Sequence, residues 1–219
     1  MTSLPVHADP ALSLAERAYR TLRDRLVVLD IAPGDPLQES RLAVELDVGR
    51  TPLREAIKRL EVDRLVVSYP RRGTFATGVD ITELATVSEV RELLEPLAAR
   101  KAALRADPEV RDALREAHEG VESLVDGSPW REAMAADLAV HRLIYRAAGN
   151  PHLEDSLIRL DNLATRIWSV MVDRLPDVSA HVREHLALLE AILAGDADRA
   201  EELTLAHIHH FDAMVRQVI

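Results

Sequence analysis

Apolar positions along this chain first recur at helical spacing, then briefly alternate, then return to helical spacing for the remaining two-thirds. Leu14, Ala18, Leu22, Leu26 and Leu29 mark a first helix. Ser13 stands as its N-cap, with Glu16 three residues on in a capping-box pattern. APGD (Ala32 to Asp35) reads as a turn. A short helix follows through Leu42, Ala43 and Leu46, broken near Asp47-Val48-Gly49, and another runs from Arg50 to Asp63 with Leu53, Ile57 and Leu60 inward. LVVSY (Leu65 to Tyr69) and TFATG (Thr74 to Gly78) flank PRRG and read as a small hairpin. From about Val79 the strand signals stop. Helices are predicted over Thr82–Arg105, Pro108–Val125, Pro129–Ala148, His152–Asp173, Val178–Leu193 and Ala197–Val218, broken at Asp107-Pro108, Gly127-Ser128-Pro129, Gly149-Asn150-Pro151, Pro176 and Gly195-Asp196. The fold class is therefore mainly α. Three helices plus a β-hairpin wing, residues 12–78, have the order of a winged helix-turn-helix, and residues 80–219 form an antiparallel six- or seven-helix bundle. The opening to about Pro10 is expected to be a disordered tail.

Composition narrows the functional classes. Hydrophobic residues make up 47% and charged residues 29% of the 219, as in an ordinary globular protein. No apolar run approaches the length of a membrane span, and MTSLPVHADP lacks the basic start and apolar core of a signal peptide. With zero cysteines, any metal must be held by His, Asp or Glu. These absences point to the cytoplasm and away from a membrane. The net charge of −10 argues against nucleic acid only until its distribution is examined. Residues 1–78 carry a net +1 and residues 79–219 a net −11, while Ser40–Arg72 alone carries +3. A mildly basic segment joined to an acidic remainder suggests two domains with different partners.

The basic segment is specific in its layout. In VGRTPLREAIKRL (Val48 to Leu60), Gly49 lets the turn bend, and Pro52 falls in a first helical turn, where a missing N–H costs no helical bond. Arg50 and Arg54 are one turn apart at the end of the helix that enters the major groove in a helix-turn-helix. Arginine there can grip guanine bidentately. Ser40, Arg41 and Thr51 are placed for phosphate, and Gly73 at the hairpin tip, beside Arg72, suits the minor groove. A solvated basic face is the plain alternative; the short preceding helix and the following wing weigh against it.

In the acidic segment, DLAVHRLIYRAAGNP sets Asp137 and His141 one helical turn apart. His185 and His207 lie on later helices, and an aspartate with three histidines from a bundle is the right chemistry for a transition metal. His181, His209 and His210 compete on spacing alone, the last two expected on the surface.

LAVELDVGRTPLREAIKRLEVDRLVVSYPRRGTF resembles the winged-helix domain of the GntR family of bacterial transcription regulators. The resemblance implies that Arg50 and Arg54 contact bases, that Thr51 contacts phosphate and that Gly73 is the wing tip. Two positions depart from it: Gly49 stands where serine is usual, and Arg64 where many members have a glycine that ends the helix in a left-handed conformation. VRELLEPLAARKAA, DLAVHRLIYRAAGNPHL and EHLALLEAILAGDADRAEELTLAHI resemble, in order, the FCD effector domain of the FadR-type branch. That resemblance implies a metal bound by Asp137, His141, His185 and His207, with zinc the first choice and nickel or manganese as alternatives. It also implies a small organic acid as effector beside the metal, and Arg91 as a pocket arginine, against the plain alternative of a surface pair with Glu95. Arg146 and Asn150 are further pocket candidates at the same helix end as His141, and Trp168 a candidate for shaping the pocket. The expectation is a homodimeric, metabolite-responsive repressor that reads a pseudo-palindromic operator in double-stranded DNA, and not an enzyme. The rival, a hydrolase-like metalloenzyme with a DNA tether, lacks a clear general base. Glu184 is the nearest, but adjacent helix positions point apart.

Overall fold

The computed structural model describes residues 12–105, 107–125, 128–175 and 178–218. The expected N-terminal tail and the breaks placed at Gly127 and Pro176 lie outside them. The chain divides into two compact units, Met1–Asp80 and Ile81–Ile219.

The first unit contains α1 (Leu14–Val27), α2 (Glu39–Glu45), α3 (Arg50–Val62) and a hairpin of β1 (Val66–Tyr69) and β2 (Gly73–Ala76). Ser13 caps α1 by accepting the Glu16 N–H at 3.2 Å, while the Glu16 carboxylate is held by Arg20 and Arg59. Helix α1 packs against α3, with Leu22, Leu26, Leu53 and Leu60 fully enclosed. The two helices are also pinned by a polar contact, in which the buried Tyr19 hydroxyl donates to Asp63 at 2.7 Å. The strands pair antiparallel from Val66 opposite Ala76 to Tyr69 opposite Gly73. The segment after α1 extends this ladder, since Leu37 N donates to Thr74 O at 2.8 Å and Pro36 bridges Phe75. Arg64 takes the left-handed backbone conformation itself, at φ 60°, so the turn forms without the glycine.

The second unit is a bundle of seven α-helices among the described residues: α4 (Leu84–Arg105), α5 (Pro108–Glu122), α6 (Trp130–Ala147), α7 (Pro151–Met171), α8 (Val178–Val182), α9 (His185–Ala194) and α10 (Ala197–Arg216). Helix α4 lies at its centre, against α6, α7, α9 and α10. Its buried Ala98, Ala99, Ala102 and Ala103 let these neighbours approach closely. The single helix expected over Val178–Leu193 is two helices, α8 and α9, parted at Arg183-Glu184. The cause is local. Nδ1 of His185 lies 3.0 Å from the carbonyl of Val182, the acceptor a continuous helix would offer to Leu186, whose N–H goes to Arg183 instead.

Candidate metal centre and DNA-facing helix

Helix α6 presents Asp137, His141 and Tyr145 on one face because they are four residues apart, and all three are buried. Helix α9 brings His185 at its first residue, and α10 brings His207. One ligand atom from each of Asp137, His141, His185 and His207 lies within 4.8 Å of the others. Nε2 of His141 and Nε2 of His185 are 3.2 Å apart, and Oδ1 of Asp137 is 3.8 Å from Nε2 of His141.

The partners of the far ring nitrogens set which tautomer each histidine holds. Nδ1 of His185 faces the Val182 carbonyl, and Nδ1 of His207 faces Oε2 of Glu184 at 3.0 Å. Nδ1 of His141 is 3.1 Å from the Tyr145 hydroxyl, which donates onward to Oε1 of Glu95 at 3.0 Å. Glu95 in turn accepts from Nε of Arg91 at 2.5 Å. Each of these partners accepts a hydrogen bond from Nδ1–H, leaving the Nε2 lone pairs as the free ligand atoms. Two lone pairs facing across 3.2 Å repel unless a cation or a proton stands between them. For an ion with metal–nitrogen bonds near 2.1 Å, neighbouring ligands sit about 3.0–3.4 Å apart.

The electrostatics agree with that donor set. Burial, then neighbouring positive charge, holds His141 far below the ordinary imidazole pKa. Burial, then the other histidines of the site, does the same for His185 and His207, so all three are neutral. Burial, then the charge of Asp161, pushes Asp137 well up. Its Oδ1 has no hydrogen-bond partner among the described residues. A divalent cation would satisfy that orphaned oxygen and remove the cost of a buried carboxylate, so the four residues fit a transition metal.

Among the ligands lies a small pocket of about 10 Å³, room for a single water or ion, partly open to solvent and bordered by Asp137, His141 and His207. Arg91, Asp161, Thr165, Trp168, His181 and Phe211 line it. Arg91 makes the expected i, i+4 pair with Glu95, yet both are buried rather than on the surface. Arg146 and Asn150 are not brought to the cavity. Arg146 lies five residues past His141, roughly 140° around the helix, and is exposed. The Asn150 side chain is occupied as the N-cap of α7, accepting from the N–H groups of His152 and Leu153. Glu184 also corrects the sequence expectation. It sits in the turn between α8 and α9, not on a continuous helix, so it reaches back to His207 although it adjoins His185. His209 and His210 are exposed, and His210 nevertheless touches Glu184.

Three participants were not singled out from the sequence, Tyr145, Asp161 and Thr165, and a fourth, His181, was named there only as a competing ligand. Their signals were the spacings, Tyr145 four after His141, Thr165 four after Asp161 and His181 four before His185. His181 stacks on His207 with ring centroids 4.1 Å apart.

In the first unit Ser40, Arg41, Arg50, Thr51, Arg54, Arg72 and Gly73 are all exposed. Gly49 provides an extended N-cap for α3 without a side-chain bond, and Arg50 is the first helical residue. Arg54 pairs with Glu39 of α2 at 2.8 Å, with 65% of its side chain still exposed. Such a pair is weak enough to yield to a better anion. Gly73 has φ +98° at the start of β2, and a Cβ built there meets nothing within 4 Å.

Comparison with known proteins places both units. Residues 14–76 match the family of bacterial regulatory proteins called the gntR family, and residues 86–210 match the FCD domain. The chain is 25% identical over 210 residues to the HTH-type transcriptional repressor RspR of Escherichia coli, covering 96% of this chain and 92% of that protein. It is 31% identical over 189 residues to the Nta operon transcriptional regulator of Aminobacter aminovorans, covering 84% and 86%. Among solved structures, Escherichia coli McbR/YncC superposes with a TM-score of 0.80 at 20% identity, over 94% of this chain and 98% of that one, a likeness of fold.

Proposed function

The chain belongs to the GntR family of bacterial transcription regulators and carries the FCD domain, and from that premise we propose a metal-anchored, metabolite-responsive repressor. It is a transcriptional regulator and not an enzyme, as its relatives are. In the proposed reading residues 12–78 bind operator DNA, residues 80–219 bind the effector, and the protein works in the cytoplasm where that DNA is. Arg50 and Arg54 read base edges at the start of α3. Ser40, Arg41 and Thr51 hold phosphates, and Arg72 and Gly73 approach the minor groove. Two copies read the two halves of a pseudo-palindrome. The face of α4 carrying Val90, Leu93, Leu97 and Leu104 supports pairing with a second copy, because these exposed apolar residues form one stripe at helical spacing.

The observation that carries the effector half is the convergence of Asp137, His141, His185 and His207 at a pocket that Arg91 also lines. If no cation were bound, the Arg91 charge would already be offset by Glu95 and the pocket would offer an organic acid no free positive partner. A divalent ion held by the four ligands supplies that charge and offers open positions to a carboxylate. Zinc fits three imidazoles and a carboxylate, as do nickel and manganese. Arg91, held by Glu95 through Nε, adds a charge-assisted hydrogen bond to the acid. An acid that binds one arrangement of the protein better by about 1–3 kcal/mol changes DNA affinity roughly 5–150-fold. The hydrolase alternative is not favoured. Glu184, its candidate base, is engaged by His207 and His210.

Three measurements test the reading. Protein purified without chelators should hold about one inner-site ion per chain that an Asp137→Ala/His185→Ala variant lacks. In a thermal-shift screen, organic acids should stabilise the metal-loaded form alone; equal shifts after metal removal would sink the anchoring role. On a duplex selected from random sequence, Arg54→Ala should weaken binding about tenfold or more and relax one base position. Unchanged affinity and preference would show that α3 does not read bases through Arg54.

A further inference from the structure

A second cluster of donors lies on the solvent side of the inner centre. Glu184, in the α8–α9 turn, receives His181 from α8 and His210 from α10 in addition to His207. Nδ1 of His181 is 3.3 Å from Oε2 of Glu184, and Nδ1 of His210 contacts Oε1. One donor atom from each of His181, Glu184 and His210 lies within 4.8 Å of the other two. His181 is buried, Glu184 half-buried and His210 exposed, so the cluster spans from interior to surface.

Orienting His207 requires only Glu184, which leaves the two further imidazoles unexplained. His181 is the informative one. Its Nε2 is buried without a hydrogen-bond partner among the described residues, and its ring meets Trp168 edge-to-face at 4.8 Å. With the proton on Nδ1, the Nε2 lone pair is buried without a partner among the described residues. With the proton on Nε2, the Nδ1 lone pair faces a carboxylate oxygen. Neither neutral tautomer satisfies both nitrogens. A cation between Nδ1 and Glu184 satisfies Nδ1 and the carboxylate together and fixes the proton on Nε2, so that no lone pair is left buried. The 3.3 Å separation also lies within the roughly 3.0–3.4 Å between neighbouring ligands of an ion bonded near 2.1 Å.

We propose that His181, Glu184 and His210 form a second metal-binding site, distinct from the inner one, for a borderline divalent ion such as zinc, cobalt or nickel. Two imidazoles and one carboxylate leave open positions for water, and His210 gives direct access from solvent. The site is therefore weaker and more exchangeable than the buried one. Glu184 joins the two, because its Oε2 also faces Nδ1 of His207. An ion at the outer site competes for the carboxylate that orients an inner ligand.

The test counts cobalt(II) ions per chain by native mass spectrometry, with visible absorption as a second readout, on the full-length protein. The wild type is expected to take two ions, and His210→Ala one. The control His209→Ala, an equally exposed histidine one residue away, keeps two. The Asp137→Ala/His185→Ala variant keeps one, which His210→Ala added to it removes. A wild type that takes only one ion, unaffected by His210→Ala, overturns the outer site and leaves the inner reading intact. Two ions retained in His210→Ala overturn it as well. One ion lost in His210→Ala but kept in the inner-site variant supports the outer site and sinks the inner one.

Discussion

The hydroxyl of Tyr145 lies 3.1 Å from Nδ1 of His141, one helical turn before it. That hydroxyl donates its own proton to Glu95, so towards His141 it acts as an acceptor, and the histidine must carry its proton on Nδ1. Nε2 is thereby kept as a lone pair aimed at His185. Tyr145→Phe removes this control while preserving the ring in its apolar cluster with Ala98, Leu153 and Leu157. Metal affinity is expected to fall about 10–100-fold, measured by competition with a chromophoric chelator. An unchanged affinity would show that the His141 tautomer is set without Tyr145.

The order of elements was legible in the chain because apolar spacing follows burial so closely here. Leu22, Leu26, Leu53 and Leu60 are inward where periodicity puts them. The Asp137–His141 pair was legible as a shared face, and His185 and His207 were named with it, although spacing alone did not separate them from His181, His209 and His210. Arg91 and Glu95 show the limit: their spacing gives the contact, but only packing against α6 and α7 decides that it faces inward. The α8–α9 break was hidden because Leu186, Leu189 and Ile192 continue the apolar rhythm past it. A side chain competing for one carbonyl leaves no trace in hydrophobic periodicity, yet it is what turns Glu184 toward His207.

Arg64 offers a test of local strain. It holds φ 60° between α3 and β1, where a residue with a Cβ is disfavoured by about 1–2 kcal/mol. Its carbonyl accepts from Thr77 Oγ1 at 2.8 Å, a bond that any residue retains. Arg64→Gly should therefore stabilise the N-terminal unit by about 1 kcal/mol after the added unfolded-state entropy of glycine is offset. Urea unfolding measures it, and a lower midpoint would mean that the arginine side chain contributes more than its backbone costs.

The Tyr19–Asp63 contact predicts an alkaline dependence of stability. Burial, then the hydrogen bond and charge of Asp63, pushes the Tyr19 hydroxyl up to about 12. An unfolded tyrosine titrates near 10. Because the folded value is the higher one, the contribution is complete below about pH 10 and fades as pH rises through about 12. Tyr19→Phe should cost about 1 kcal/mol at neutral pH and lose this fall between pH 10 and 12. Parallel slopes for the two proteins in that window would show that the hydroxyl is not what titrates.

The α4 stripe makes the proposed dimer testable residue by residue. Leu93 is 73% exposed and Leu104 65% exposed, with Val90 and Leu97 on the same side of the helix. From Val90 to Leu104 the stripe is about 21 Å long, enough for two copies of α4 to cover each other about a two-fold axis. Leu93→Asp removes apolar area from both copies at once and places an uncompensated charge in each. The dissociation constant of the dimer is expected to rise about 100-fold by sedimentation equilibrium. Because Leu93 is exposed in the isolated chain, the variant should fold with unchanged helicity and keep its affinity for a single half-site. Binding to the two-half-site operator should weaken, since the second contact would no longer be linked to the first. A dimer of unchanged strength would move the interface to another face of the bundle.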